Sequence, residues 1–336
     1  MIPKKVILDC DPGSDDAIAM MLAMKSDAID LIGVTTVNGN RIVPKTTENA
    51  LRVVQFMKSS VPVYRGCEEP IICNEIPGRK PGLPRVTLND CHGDFLPLPE
   101  AEIRTEKEHA VFYLVKTLME SEGDIYVAAV GPLTNLAMAL RIEPKIAGKI
   151  KQLVIMGGGH CGANASPAAE FNFYADPEAA KIVMDSAIPK VILPLDATWR
   201  ACLSEEKCKE LAQLGTPEAK VAAALVQKRI DNLKVNDVSE HNYALRHQAG
   251  TVAGAMLYRY DNHMAPIHDA LAIAYLINEN VVTELADADV DIDIAGGLCD
   301  GRMVADFHNA KKSKAPVTAK VALNSDAGLF TDMLFA

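Results

Sequence analysis

Apolar and polar positions follow two patterns that alternate along the chain. Short apolar runs rich in valine and isoleucine are typical of buried strands, and longer segments with apolar residues three or four apart are typical of helices. The predicted strands are Val6–Leu8, Leu31–Val37, Ile125–Val130, Gln152–Met156 and Val191–Pro194. The predicted helices include Asp15–Lys25, Lys45–Met57, His109–Glu120 and Leu133–Ala139. This alternation predicts β-α-β units around a mainly parallel sheet.

The predicted fold is a single α/β domain over residues 1–336, with a Rossmann-like sheet and flanking helices. The chain has 336 residues, of which 49% are hydrophobic, which is enough for a large core. Two segments could act as lids over the sheet edge, 62–99 and 200–260, although ordinary surface insertions have the same composition. No G-x-G-x-x-G follows the first strand, so the fold does not imply a dinucleotide.

The net charge and the cysteines narrow the class of protein. With 34 basic and 44 acidic residues the formal charge is −10, which disfavours nucleic acid and anionic membranes as partners. No apolar stretch approaches the ~20 residues that span a bilayer, and no signal-peptide pattern follows Lys4-Lys5. The eight cysteines are scattered without a C-x-x-C pair, which predicts reduced thiols. These features predict a cytoplasmic protein that acts on a small molecule.

Four aspartates lie within the segment Asp9–Asp16, directly after the first predicted strand. Crowded carboxylates raise one another's pKa, so the cluster indicates a bound cation, and oxygen ligands favour Ca²⁺ or Mg²⁺ over zinc. Alternatively, Asp15 or Asp16 caps the following helix and Asp9 is a core carboxylate. Capping explains one aspartate but not four. A calcium EF-hand is excluded, because Met20 stands in place of the closing glutamate and a strand precedes the loop.

Two further segments carry polar residues that could face the same edge of the sheet. His268-Asp269 puts a carboxylate at the start of an apolar helix, and Met156–Gly159 follows a strand with glycines that permit close approach to a ligand. No Gly-Lys-Ser/Thr follows, which excludes a P-loop. The next residues suit sugar hydroxyls, namely Asn164, Glu170, Asn172, Asp176 and Glu178. Asp176-Pro177 also fits an ordinary N-capped helix.

The segment Val6–Ala17 resembles the fingerprint of the inosine-uridine preferring nucleoside hydrolase family. The resemblance continues, in order and spacing, through Thr35–Asn40, Gly131–Asn135, the glycine-rich to Asp-Pro-Glu segment and Pro266–Asp269. It implies hydrolysis of the N-glycosidic bond of ribonucleosides to base and ribose, in purine or pyrimidine salvage. It also implies a homodimer or homotetramer.

The resemblance assigns roles residue by residue. The family binds one Ca²⁺, and the assigned ligands are the side chains of Asp11, Asp16 and Asp269 and the carbonyl of Val130. Asp11 would be the general base for a Ca²⁺-bound water. The substrate-binding set is larger, namely Asp15, Asn40, His92, Met156, Asn164, Glu170, Phe171, Asn172 and His268. Anionic residues in this set would stabilise an oxocarbenium-like ribosyl group.

The departing base needs a proton or a hydrogen bond, and His268 and His92 are the candidate donors. His268 matches the family motif, whereas Cys91–Leu96 lacks the glycine-rich continuation. Position 130 is Val where many members have Thr, and the late Arg-Gly element is altered to Gly301–Met303. The preferred base therefore stays open. Other residues could contact the base or simply pack, namely Trp199, Tyr243, Arg246, His247, Tyr258 and Tyr260.

Two other functions share some of these features. A haloacid-dehalogenase-like phosphatase places Asp-x-Asp after its first strand, as Asp9 and Asp11 do here. Pro12 departs from that pattern, and Glu170–Asn172 would have no role in it. A non-catalytic nucleoside-binding protein could keep the calcium site without turnover, but every predicted metal-site carboxylate is present.

Overall fold

The computed structural model describes residues 2–72, 75, 93–235, 264–308 and 318–336, with the side chains of 233–235 left out. The strands are β1 Lys4–Cys10, β2 Ile29–Thr36, β3 Val63–Arg65, β4 Ile125–Ala129, β5 Ile150–Met156, β6 Lys190–Leu193, β7 Cys202–Ser204, β8 Met264–Pro266, β9 Val282–Ile292, β10 Met303–Asp306 and β11 Ala319–Ser325. The α-helices are α1 Ser14–Lys25, α2 Val43–Phe56, α3 Ala110–Glu120, α4 Thr134–Ile142, α5 Phe171–Ala175, α6 Pro177–Met184, α7 Leu195–Thr198, α8 Glu205–Gln213, α9 Pro217–Val235, α10 His268–Ile277 and α11 Ala327–Phe335.

A nine-stranded sheet organises the part of the chain that the structure describes. Its strand order is β10-β9-β11-β6-β5-β4-β1-β2-β3. The strands from β11 to β3 run parallel to their neighbours, while β9 is antiparallel to β11 and β10 is antiparallel to β9. The predicted fold class, a single α/β domain with a mainly parallel sheet, is confirmed.

Strand β1 lies inside the sheet and is covered on both faces. Ile7 and Leu8 point to opposite sides and have no exposed surface. Leu8 belongs to the core cluster under α1, α2 and α10, and Ile7 belongs to the cluster under α3, α4 and α6. A strand buried on both faces is a continuous apolar run, which is why the pattern revealed β1, β4 and β5.

The antiparallel extension β9-β11 was not among the predicted strands. In β9 the residues Ala288, Val290 and Ile292 are buried and alternate with aspartates, as expected for a strand covered on one face only. This alternation is the signal that could have identified β9.

The two predicted lid segments contain regular elements. The first, 62–99, begins with β3, which pairs with β2 and closes one edge of the sheet. The second, 200–260, contains β7, α8 and α9, and its residues 236–260 lie outside the described part. None of the described helices is long and apolar enough to cross a membrane. Six cysteines among the described residues form no disulfide, namely Cys10, Cys67, Cys161, Cys202, Cys208 and Cys299.

Candidate active site

The predicted site residues lie where neighbouring parallel strands end. Asp11 follows β1, Asn40 follows the end of β2 by a short loop, Val130 follows β4, and Met156 ends β5. Because β2, β1, β4 and β5 are adjacent and parallel, these four positions share one rim of the sheet. His268 begins α10, which packs against α1 beside the same rim. The topology therefore gathers residues that are far apart in the sequence.

Three buried aspartates form a compact group at this rim. One carboxylate oxygen each from Asp15, Asp16 and Asp269 lies within 4.8 Å of the others. Asp15 and Asp16 are in the first turn of α1, and Asp269 is in the first turn of α10. The structure thus brings together Asp16 and Asp269, two predicted metal ligands, and adds Asp15, which the resemblance assigned to ribose. Helix N-termini favour negative charge at these positions.

Asp11 lies beside this group and is oriented by the loop after β2. Its Oδ2 accepts a hydrogen bond from the backbone N–H of Asn40 at 2.5 Å, and Asn40 Nδ2 donates to Asp11 O at 3.2 Å and to Asp16 Oδ2 at 3.3 Å. Glycines permit the close approach: a Cβ on Gly39 would lie 2.1 Å from Asp11 Oδ2, and one on Gly131 would lie 2.6 Å from Asp11 Oδ1. Any larger residue at 39 or 131 would displace the Asp11 carboxylate.

Burial of several like charges controls the electrostatics. Burial raises the pKa of Asp11 well above its ordinary value, and repulsion from Asp16 raises this pKa further. The pKa of Asp269 is also well above its ordinary value, through burial and then repulsion from Asp15, Asp16 and Asp11. A cation among these oxygens would remove the repulsion. The donor set consists of carboxylates and a nearby backbone carbonyl, and it fits a hard divalent cation such as Ca²⁺.

The capping interpretation holds for part of the cluster. Asp16 Oδ2 accepts from Gly13 N at 2.9 Å, the capping-box bond that opens α1, and Asp16 Oδ1 accepts from Asp11 N at 3.2 Å. Asp9 is a core carboxylate whose Oδ1 accepts from Thr35 and Asn135, while its buried Oδ2 has no hydrogen-bond partner. Capping therefore accounts for Asp16 but not for the burial of Asp11, Asp15 and Asp269 beside it.

Glu170 organises the polar segment predicted to bind the sugar. It is 2% exposed and caps α5: Oε1 accepts from Asn172 N at 2.9 Å, and Oε2 accepts from Gly158 N at 2.8 Å and Phe173 N at 3.3 Å. Burial raises the pKa of Glu170 to about 7, although these hydrogen bonds oppose the increase. Glu170 thus links the glycine-rich loop to α5, and its pKa lies near neutral pH.

The side chains around Glu170 connect this segment to the ends of β4 and β5, beside the aspartate group. Asn172 Nδ2 donates to Val130 O at 2.9 Å and to Met156 O at 3.0 Å, which ties the ends of β4 and β5 together. Asn164 Oδ1 accepts from Phe171 N at 2.8 Å. The amide of Asn172 therefore fixes the same carbonyl that the resemblance assigned to the cation.

The side chain of His268 contacts the short helix α7. Its Nδ1 lies 2.8 Å from the hydroxyl oxygen of Thr198, the last residue of α7. Trp199 is 4% exposed and packs in the core. The other candidates for contact with the base lie outside the described residues, namely His92, Tyr243, Arg246, His247, Tyr258 and Tyr260.

Three residues at this edge were not predicted. Arg229 of α9 pairs with Asp15, Thr198 contacts His268, and Asp196 of α7 accepts the backbone N–H groups of His160 and Cys161 at 2.8 and 2.9 Å. Asp196 and Thr198 could have been identified from the sequence, because they come shortly after β6, a buried strand of the parallel sheet. Arg229 had a weaker signal, since it occupies an apolar face of its helix.

Comparisons with known proteins show the family to which the chain belongs. A family model described as inosine-uridine preferring nucleoside hydrolase matches residues 6–332. The chain is 36% identical over 333 residues to the pyrimidine-specific ribonucleoside hydrolase RihB of Escherichia coli O157:H7, over 97% of this chain and 95% of the relative.

Solved structures of nucleoside hydrolases share the fold of this chain. A plant nucleoside hydrolase, the PpNRh1 enzyme, matches with a TM-score of 0.83 and 26% identity over 99% of this chain and 98% of the other. A purine-preferring ribonucleoside hydrolase from Gardnerella vaginalis matches with a TM-score of 0.82 and 24% identity over 99% and 97%. The family model and these relatives show that the chain belongs to the inosine-uridine preferring nucleoside hydrolase family and is a nucleoside hydrolase, a glycosidase acting on N-glycosyl compounds.

Proposed function

We propose that this enzyme hydrolyses the N-glycosidic bond of ribonucleosides to free base and ribose, with Asp11 as the general base that takes a proton from the attacking water. The observation that carries this role is the position of the Asp11 carboxylate, buried beside the aspartate group and oriented through Asn40. A general base must be held within hydrogen-bond reach of the proton it removes, and a fixed carboxylate meets that requirement.

A Ca²⁺ ion is the cofactor that the donor set supports. Asp11, Asp16 and Asp269 would hold it together with the carbonyl of Val130. When bound, such an ion lowers the pKa of a coordinated water and so makes proton removal easier. Asp11 would receive the proton of the attacking water on its carboxylate, while Asn40 keeps that carboxylate in place.

The ribose would be held by Asp15, Asn40, Asn164, Glu170 and Asn172, with Met156 and Phe171 beside it. Carboxylates near the anomeric carbon stabilise the positive charge that develops on the ribosyl group as the C–N bond breaks. His268, oriented by Thr198, would donate a proton or a hydrogen bond to the departing base. His92 is a second candidate for this step.

The base preference that we propose is pyrimidine. The support is the relative named pyrimidine-specific, which is 36% identical over nearly the whole chain. Uridine and cytidine are therefore expected to be cleaved faster than inosine, guanosine and adenosine.

Release of free ribose from these five nucleosides, in phosphate-free buffer with and without prior chelation, tests the proposal. We expect release without phosphate, loss of release after chelation, and its return with added Ca²⁺. Phosphate-dependent cleavage would indicate a phosphorylase. Binding without release would indicate a nucleoside-binding protein, and release of phosphate from nucleotides instead would indicate a phosphatase.

Replacing Glu170 with glutamine tests the proposed role of Glu170 in binding the ribose. In either orientation the new amide group would face a backbone N–H that now donates to Glu170, so we expect kcat/KM to fall about 10-fold or more. Because burial raises the pKa of Glu170 to about 7, its ionised form declines below that pH, and kcat/KM of the wild type should fall there too. The part of this acidic limb that is due to Glu170 should be missing from the variant.

The control is Glu206→Gln, an exposed glutamate in the first turn of α8, which should keep the wild-type profile. An acidic limb that persists unchanged in Glu170→Gln would deny Glu170 this role.

A further inference from the structure

Arg229 places a buried positive charge beside the group formed by Asp15, Asp16 and Asp269. Its Nη1 lies 2.7 Å from Asp15 Oδ1, and the Arg229 and Asp15 side chains are 10% and 7% exposed. The same Nη1 donates to the hydroxyl of Ser14 at 3.1 Å. The guanidinium therefore engages two consecutive residues in the first turn of α1.

The position of Arg229 in its helix is unusual for an arginine. Its neighbours Val226 and Ile230 on α9 have no exposed surface, so residue 229 points into the protein, where α9 packs against α1. An apolar side chain at such a position commonly stabilises a fold as well as or better than a buried ion pair does. Packing alone therefore does not account for Arg229.

The ion pair restrains the orientation of Asp15. Contact at Oδ1 limits rotation of the carboxylate and so fixes the direction of Oδ2. Asp15 shares its group of oxygens with Asp16 and Asp269, so a small rotation would change the distances within that group. A charged hydrogen bond from a planar guanidinium is well suited to this restraint.

We propose that Arg229 is a positioning residue that acts through Asp15 and holds its carboxylate in the orientation that binds the ribose diol. The inference rests on the proposed function, because it assigns Asp15 to a ribose hydroxyl. Arg229 itself need not touch the sugar. Its loss should weaken recognition of a hydroxyl group and leave the rest of the site in place.

The test is Arg229→Met, assayed with uridine, 2′-deoxyuridine and 3′-deoxyuridine. We expect kcat/KM for uridine to fall about 10- to 100-fold, which is the size of a lost charged hydrogen bond. For at least one of the two deoxynucleosides, kcat/KM should fall much less. The ratio of kcat/KM for uridine to kcat/KM for that deoxynucleoside should therefore decrease. Arg229→Lys should recover part of the loss. In the Asp15→Asn background, Arg229→Met should have little further effect.

Calcium binding by titration calorimetry gives a readout that does not depend on turnover. Removing a positive charge near the aspartates should leave Ca²⁺ affinity unchanged or increased. Lys181→Met removes a cation paired with Asp291 of β9, several strands away from β1, and is the matched control, expected to keep wild-type kinetics.

Equal losses on all three nucleosides, a fall in Ca²⁺ affinity, or additive effects of Arg229→Met and Asp15→Asn would each overturn the inference. If Arg229→Met fails to fold, the same three readouts apply to Arg229→Lys and Arg229→Gln. A wild-type enzyme that releases no ribose from any nucleoside would instead refute the proposed function.

Discussion

Asp11→Asn is expected to lower kcat at least about 1000-fold on every nucleoside, near the upper range for removal of a general base. The asparagine keeps the shape of the side chain and can still accept from Asn40 N, so the loop after β2 should stay in place. What disappears is the proton acceptor, together with the negative charge that Asp11 would offer to the cation. Steady-state release of ribose measures the effect, with Asp332→Asn, an exposed aspartate in α11, as the control.

The same variant should unfold at a higher temperature than the wild type when both are free of metal at pH 8. Burial and repulsion from Asp16 raise the pKa of Asp11 in the folded protein above the ordinary pKa of an aspartate. Once the pH exceeds that ordinary pKa, ionising Asp11 is harder in the folded than in the unfolded chain, and the folded state loses stability. The neutral amide has no such cost, and the difference between the proteins should vanish near pH 4. A variant that keeps more than a tenth of wild-type kcat would refute Asp11 as the base.

His268→Ala is expected to have the second largest effect, and the effect should depend on the leaving group. For uridine and inosine we expect kcat/KM to fall about 100- to 10,000-fold, because the departing base loses its proton donor. For p-nitrophenyl riboside, whose leaving group is stable as an anion, the loss should be less than about 10-fold.

Thr198→Val removes the hydroxyl that contacts His268 Nδ1 and should have a smaller effect with the same dependence on leaving group. His109→Asn, which changes an exposed histidine at the start of α3, is the control. Equal losses on uridine and p-nitrophenyl riboside would deny His268 the role of acid.

Much of the fold was predictable because its inner strands are buried on both faces. Runs such as Val6–Leu8 are apolar throughout, and the helices between them have regular spacing. The strand β9 was missed because aspartates interrupt its apolar positions, as they can on a strand with one open face. The adjacent aspartates after β1 were visible in the sequence because they are local.

The residues that were missed depend on contacts across long stretches of sequence. Ser14 and Arg229 are 215 positions apart, and nothing in the composition of α9 indicates which helix it packs against. Thr198 and His268 are 70 positions apart and come from α7 and α10. Pattern and spacing within a segment identify elements and local clusters, whereas the pairing of distant segments follows from tertiary packing.

The position of β1 inside the sheet, between β4 and β2, has a consequence for the order of folding. This first strand pairs with β4, Asp9 receives a hydrogen bond from Asn135, 126 positions away, and Lys4 donates to Leu276 O, 272 positions away. Contacts of such sequence separation form slowly, because a long loop must close before they stabilise anything. During refolding, catalytic activity should therefore return after helical content does, and ribose release would report the completion of the sheet.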